Sequence, residues 1–169
     1  MAEYPLSAFI AGLNSESQVL ARGLFDRFPE WLPFAQAYEP VDPRENESDL
    51  GSLYLQVPSP VPKSRQYLGV HHRGDTFEVF HSDGEPPGPA EAQFIFASRN
   101  VHEVAAAAVD LLAEIAAERI VLGRDRTPRF LRFGDNQQRF IPRKELTAKR
   151  KRGLASITSW RGTFDEVIA

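Results

Sequence analysis

Two spacings of hydrophobic residues run through this chain, one helical and one alternating. Ser15-Glu-Ser-Gln18 has the spacing of a capping box, and Val19, Leu20, Leu24, Phe25 and Phe28 follow at helical intervals, which predicts an N-terminal helix opening at Ser15. Pro29 stops that run and suits the first turn of a second short segment through Trp31, Leu32 and Phe34. Leu53, Leu55 and Val57 alternate with Tyr54 and Gln56, the mark of a strand with one buried face. In QYLGVHHRGDTFEVFHSDG two β-rich runs flank Arg73-Gly74. With those two residues as the turn, Val70 faces Phe77, Leu68 faces Val79 and His72 faces Asp75. The other face then carries Tyr67, Gly69, His71, Thr76, Glu78 and Phe80.

Beyond residues 82 to 90, a Pro- and Gly-rich stretch that predicts an exposed mobile loop, a strand is expected at Gln93 to Ala97. Asn100-Val-His-Glu103 repeats the capping signal, and Val104, Ala108, Leu111, Leu112 and Ile115 form one stripe of a helix over 101 to 118. Its alanines favour the helix and allow close approach to a sheet. ERIVLGRDRTPRFLRFG reads as a hairpin or two short strands, the second alternating from Arg129 to Phe133. Pro142 is placed to open a short basic helix, Leu154 to Trp160 gives a last strand, and TFDEVIA is apolar enough to dock. The expected architecture is α+β: a single antiparallel sheet of about five or six strands, with the long helix on one face and the N-terminal helix nearby. One domain is expected over 1 to 169: an N-terminal helical, acidic segment to residue 50, the sheet plus long helix over 51 to 141, and a basic segment with the last strand over 142 to 169.

Composition changes the picture mainly by exclusion. The absence of cysteine removes disulfides, thiolate catalysis, iron–sulfur clusters and the commonest zinc sites, and leads to an expected cytoplasmic location. The apolar runs, such as Val104 to Val109, fall far short of the roughly 20 residues that cross a bilayer, and Glu3 stands where a secretory signal would carry Lys or Arg. No membrane association and no cofactor are expected.

Charge is divided unevenly. Residues 1 to 50 hold nine acids against three bases, residues 51 to 118 nine against four, and residues 119 to 169 five against thirteen, a net of +8 at the C-terminal end. Such polarity either pairs within the fold or steers a partner. The acidic face of the long helix, Glu103, Asp110, Glu114 and Glu118, together with Trp31 as an anchor if exposed, forms the candidate partner-binding surface. The run RKELTAKRKRG, with Lys149, Arg150, Lys151 and Arg152, supplies the alternative, a nucleic-acid-binding or regulatory domain. On helical spacing its charges spread around the segment, and no aromatic is interleaved between residues 143 and 153 for base stacking.

The histidines lack the spacing of a metal site, and no catalytic residue is assigned. His71 with Glu78 on one hairpin face, His72 with Asp75 at its turn, and His81 near Asp83 and Glu85 read as polar residues of a solvated surface. A hydrolase, the third reading, would need some of them to converge in a deep pocket.

The order of elements between residues 66 and 166, with LGVHHRGDTFEVF, EIAAERIV and SWRGTFDE, resembles small bacterial α+β proteins of the toxin-immunity type. That resemblance implies a cytoplasmic, non-enzymatic domain that blocks a toxin by surface complementarity, often with acidic surface against a basic nuclease; the chain is expected to be a monomer or homodimer. The basic C-terminal third departs from a uniformly acidic inhibitor.

Overall fold

A computed structural model describes residues 6–39, 49–82, 92–97, 100–125 and 138–168. The fold is α+β: a five-stranded antiparallel sheet carries the long helix on one face, with an N-terminal helix, as the hydrophobic periods predict. A second sheet, of four strands, accompanies it. The chain forms two compact units. The first comprises Met1–Val57, Gly69–Val79 and Ile95–Asp110, and the second Pro58–Leu68, Phe80–Phe94 and Leu111–Ala169.

Helix α1 spans Leu6–Ala11 and α2 spans Ser15–Arg27. The cap of α2 lies one residue before the expected Ser15. Asn14, in extended backbone, accepts the Ser17 N–H through Oδ1 at 3.0 Å, and Gln18 turns to the Leu13 carbonyl instead of closing a capping box. Asn caps as well as Ser does, and Asn14 is held further by its own N–H to the Gly51 carbonyl and by Nδ2 to Ser52 Oγ. Ser17, Leu20, Ala21, Leu24 and Phe25 form the buried stripe. A 3₁₀ segment, Pro29–Phe34, follows, and its Trp31 stacks on Phe28 with ring centroids 4.1 Å apart.

The five-stranded sheet runs β1 (Ala35–Ala37), β2 (Leu53–Pro58), β3 (Tyr67–Arg73), β4 (Thr76–Ser82) and β5 (Ala92–Ala97) in that spatial order. Strand β1, where no strand was expected, pairs Gln36 with Tyr54. The alternation of β2 is real: Leu53, Leu55 and Val57 are buried. The β3–β4 turn is Gly74-Asp75, one residue later than expected, with positive φ at Gly74 as a type II′ hairpin requires. Moving a turn by one residue moves every cross-strand partner by two, so the faces survive while the pairs change. His72 therefore lies beside Phe77 in the core, ring centroids 4.8 Å apart, and is not paired with Asp75 at the turn.

Helix α3 spans Val101–Ala116, capped by Asn100 Oδ1 on the His102 and Glu103 amides. Its buried positions include Ala105, Ala108, Ala113 and Ala116 beside Val104, Leu112 and Ile115, the small residues allowing close approach. The four-stranded sheet has the order β7-β6-β8-β9: β6 is Ile120–Asp125, β7 Gln138–Pro142, β8 Leu154–Thr158 and β9 Glu166–Val167. Val121, Ile141, Leu154 and Ile157 form its core, with Leu146 and Ile168 packed against it. A 3₁₀ turn at Arg143–Glu145 and the single-turn α4, Ala148–Lys151, follow Pro142. The expected strand from Arg129 to Phe133 and the loop at 82 to 90 beyond its first residue lie outside the described residues. No described helix is long and apolar enough to cross a membrane.

Two glycines make opposite predictions. A Cβ added at Gly23, exposed in mid-α2, would make ordinary contact with Val109 Cγ2 at 3.7 Å. Gly23→Ala is therefore expected to stabilise by about 0.5–1 kcal/mol. A Cβ at Gly123 would collide with Ile141, so Gly123→Ala is expected to destabilise by about 1–3 kcal/mol. Urea titration should move the two midpoints in opposite directions.

Candidate binding cleft

In the first unit a buried polar network fixes α2 to the sheet. Ser17, fully buried, accepts the Leu53 amide proton at Oγ (2.7 Å) and lies 2.8 Å from His72 Nδ1. Because Leu53 donates to Ser17 Oγ, the serine hydroxyl hydrogen is free to point at Nδ1, and we assign the imidazole proton to Nε2. Ser52 Oγ stands 3.5 Å from the same Nδ1 and accepts from Asn14 Nδ2 at 3.1 Å. Asp49, buried, accepts the Gly74 amide proton at 2.8 Å and so holds the β3–β4 turn. Desolvation pushes the His72 pKa below the ordinary imidazole range, against the opposing pull of Glu16, the Gly74 backbone, Asp49 and Asp75. His72 is thus a neutral strut at pH 7.

Above this network opens a cleft of about 560 Å³. Phe77, Ala97, Val101 and Val104 make its apolar lining, His72 and Gly74 part of its wall, and Glu16 and Asp75 its acidic rim. The Ser15 hydroxyl donates to Glu16 Oε2 at 2.8 Å, and that bond, followed by one from its backbone amide, holds the Glu16 carboxyl below the usual carboxylate range. Glu16 and Asp75 are exposed, and neither has an ion-pair partner among the described residues.

The acids singled out by sequence have other engagements. Asp110 pairs with Arg27 at 2.7 Å. Glu114 takes both Nε and a terminal nitrogen of Arg119, at 2.8 and 2.7 Å. Glu103 is exposed in the first turn of α3, where the helix dipole favours a carboxylate. Trp31 is 7% exposed and packed on Phe28.

Glu118 is buried. It occupies the left-handed position that ends α3 (φ 54°), with Glu118 N–H on the Ile115 carbonyl and Arg119 N–H on the Glu114 carbonyl. Its Oε1 accepts the backbone protons of Arg161 (2.9 Å) and Thr163 (3.3 Å). Burial is the largest single influence on its carboxyl and raises the pKa. The hydroxyls of Thr163 and Ser159, with the two amides, outweigh it and leave the pKa lowered.

Among the candidate cations, Lys151 pairs with Glu166 at 2.6 Å and Arg152 is exposed, while Lys149 and Arg150 sit in α4 with side chains outside the description. The remaining histidines do not converge. His71 lies between the rings of Tyr38 (5.7 Å) and Tyr54 (5.4 Å), its buried Nε2 without a hydrogen-bond partner. His81, in the second unit, donates from Nε2 to Gln66 Oε1 at 3.2 Å and meets Trp160 edge-on. No group of three or more His, Asp or Glu side chains among the described residues is placed to hold a metal ion.

Sequence reading missed the cleft because its walls come from α2, β3, the hairpin turn, β4, β5 and α3. The one available signal was the alternation of β3, which sets His72 on the face of Leu68 and Val70; the expectation of a solvated surface for His72 and His81 is overturned, since both are buried and hydrogen-bonded inside the fold.

Two outcomes test these assignments. Because folding lowers the His72 pKa, the unfolded chain takes up a proton that the folded chain refuses. Stability should hold above pH 6.5 and fall as pH drops below it, and His72→Gln should reduce that loss in denaturant titrations at pH 7.5 and 5.5, leaving the part owed to His71, whose pKa burial also lowers. Glu118→Gln is expected to cost about 1–3 kcal/mol by leaving buried donors poorly matched, read from the same titrations at pH 7.5. No family model, no curated protein and no solved structure matches this chain.

Proposed function

We propose that this chain is a non-enzymatic cytoplasmic protein-binding module, of the kind an immunity protein or antitoxin uses, and that it holds a basic, partly apolar segment of its partner in the cleft of the first unit. The observation that carries this reading is the contrast between two sets of acids. Asp110, Glu114 and Glu118 are matched within the chain, whereas Glu16 and Asp75, over an apolar lining, face no cation among the described residues. A Lys or Arg whose aliphatic stem lies on Phe77 and Val104 could place its head between the two carboxylates, combining apolar burial with charge complementarity. Ser17, whose hydroxyl lies 2.8 Å from His72 Nδ1, supports the same reading. It is fully buried and already holds the Leu53 amide, which suits a strut better than a nucleophile.

Affinity capture from the cell that makes the protein tests the proposal. Glu16→Lys with Asp75→Lys should weaken partner capture at least about tenfold, because like charges set opposite each other cost more than 1.4 kcal/mol. Asp110→Lys should leave capture intact. Equal capture by the wild type and the Glu16/Asp75 double variant, with the fold verified by near-UV circular dichroism, would overturn it.

A further inference from the structure

The second unit gathers a different kind of surface. Phe164 is 37% exposed, and the Arg143 guanidinium lies over its ring at 4.5 Å from Cζ to centroid. In sequence the two are far apart, and the stretch from residue 143 to 153 contains no aromatic of its own. Folding supplies one. Both partners are held by the backbone: the Arg143 amide donates to the Arg119 carbonyl at 2.8 Å, and the Phe164 amide donates to Ser159 Oγ at 3.0 Å.

The loop from Ser159 to Asp165 is built for rigidity. Asp165 Oδ1 accepts the Ser159 amide at 2.7 Å, Gly162 N–H closes on the Ser159 carbonyl, and the buried Glu118 carboxylate takes the Arg161 and Thr163 amides. Exposed cations surround this element in the sequence and on the loop itself. Arg143, Lys144, Arg152 and Arg161 are exposed and have no ion pair among the described residues, in a region with a net charge of +8 over residues 119 to 169.

We infer that the Arg143–Phe164 stack and the exposed cations Lys144, Arg152 and Arg161 form a binding surface for single-stranded nucleic acid. An exposed ring with a guanidinium 4.5 Å from its centroid offers an aromatic face for stacking an unpaired base, and the exposed cations offer phosphate contacts. A duplex keeps its bases stacked inside and could use the cations alone. The stack therefore selects the single strand. The surface belongs to the second unit and uses none of the residues of the cleft.

Fluorescence anisotropy of the full chain with labelled RNA and DNA single strands of about ten nucleotides, and with a duplex of equal length, tests the inference. Binding to single strands should weaken with salt by a log–log slope of about −0.7 per phosphate contacted, and the duplex should bind at least about tenfold more weakly at moderate salt. Phe164→Ala should lower single-strand affinity about tenfold with the salt slope kept, since it removes stacking and no charge. Phe164→Leu, which keeps an apolar side chain in the loop, should show the same loss. Arg143→Glu should reduce both affinity and slope. A preference for RNA over DNA would assign the 2′-hydroxyl a contact, and equal binding would assign recognition to base faces and phosphates. The inference is overturned by a flat salt response, by equal affinity for duplex and single strand, or by wild-type affinity in both Phe164 variants.

Discussion

One buried hydroxyl organises the first unit. Ser17 Oγ meets the Leu53 amide of β2 and the His72 ring of β3, joining the first turn of α2 to two strands that lie 36 and 55 residues further along the chain. A serine with no access to water must have its hydrogen bonds met inside the protein, and an unmet buried partner costs about 1–3 kcal/mol. That requirement permits few placements of α2 on the sheet. Glu16 precedes Ser17, so the same constraint decides where its carboxylate stands, at the rim of the cleft over Phe77 and Val104. The cleft thus depends on a contact that is itself out of reach of any partner.

The second unit meets the same problem with a carboxylate. Glu118 sits in a backbone conformation that glycine usually takes, at a cost of roughly 1 kcal/mol. Four donors from the loop after β8 offset that cost and the cost of burying the charge. The result is a loop whose shape is set by one side chain at the end of a helix, and which carries Phe164 to the underside of Arg143. In both units a satisfied buried polar group positions an exposed residue of potential use.

Electrostatics divides along the same lines. Surface ion pairs such as Arg27 with Asp110 and Lys151 with Glu166 contribute little to stability, generally below about 1 kcal/mol. Their consequence here concerns recognition. An acid already facing a guanidinium presents less field to its surroundings, so the acidic stripe of α3 is weaker than its composition implies, while Glu16 and Asp75 on the cleft rim face no cation among the described residues.

By itself the sequence determined the elements whose signal is local. The period of α3, the alternation of β2 and the two faces of the β3–β4 hairpin follow from backbone geometry acting on neighbouring residues, and they appear in the fold at or near their expected positions. Asn14 took the cap from Ser15, and the hairpin turn moved by one residue, because short polar residues compete closely at such points and distant partners decide between them. The tertiary structure alone decided that Arg27 cancels Asp110 and that Phe164 is the aromatic that meets Arg143. Those outcomes rest on side chains that become neighbours only after folding. Charge and aromatic content are visible along a chain, but whether a carboxylate faces a guanidinium or open water is a property of three-dimensional distance, which no local pattern encodes.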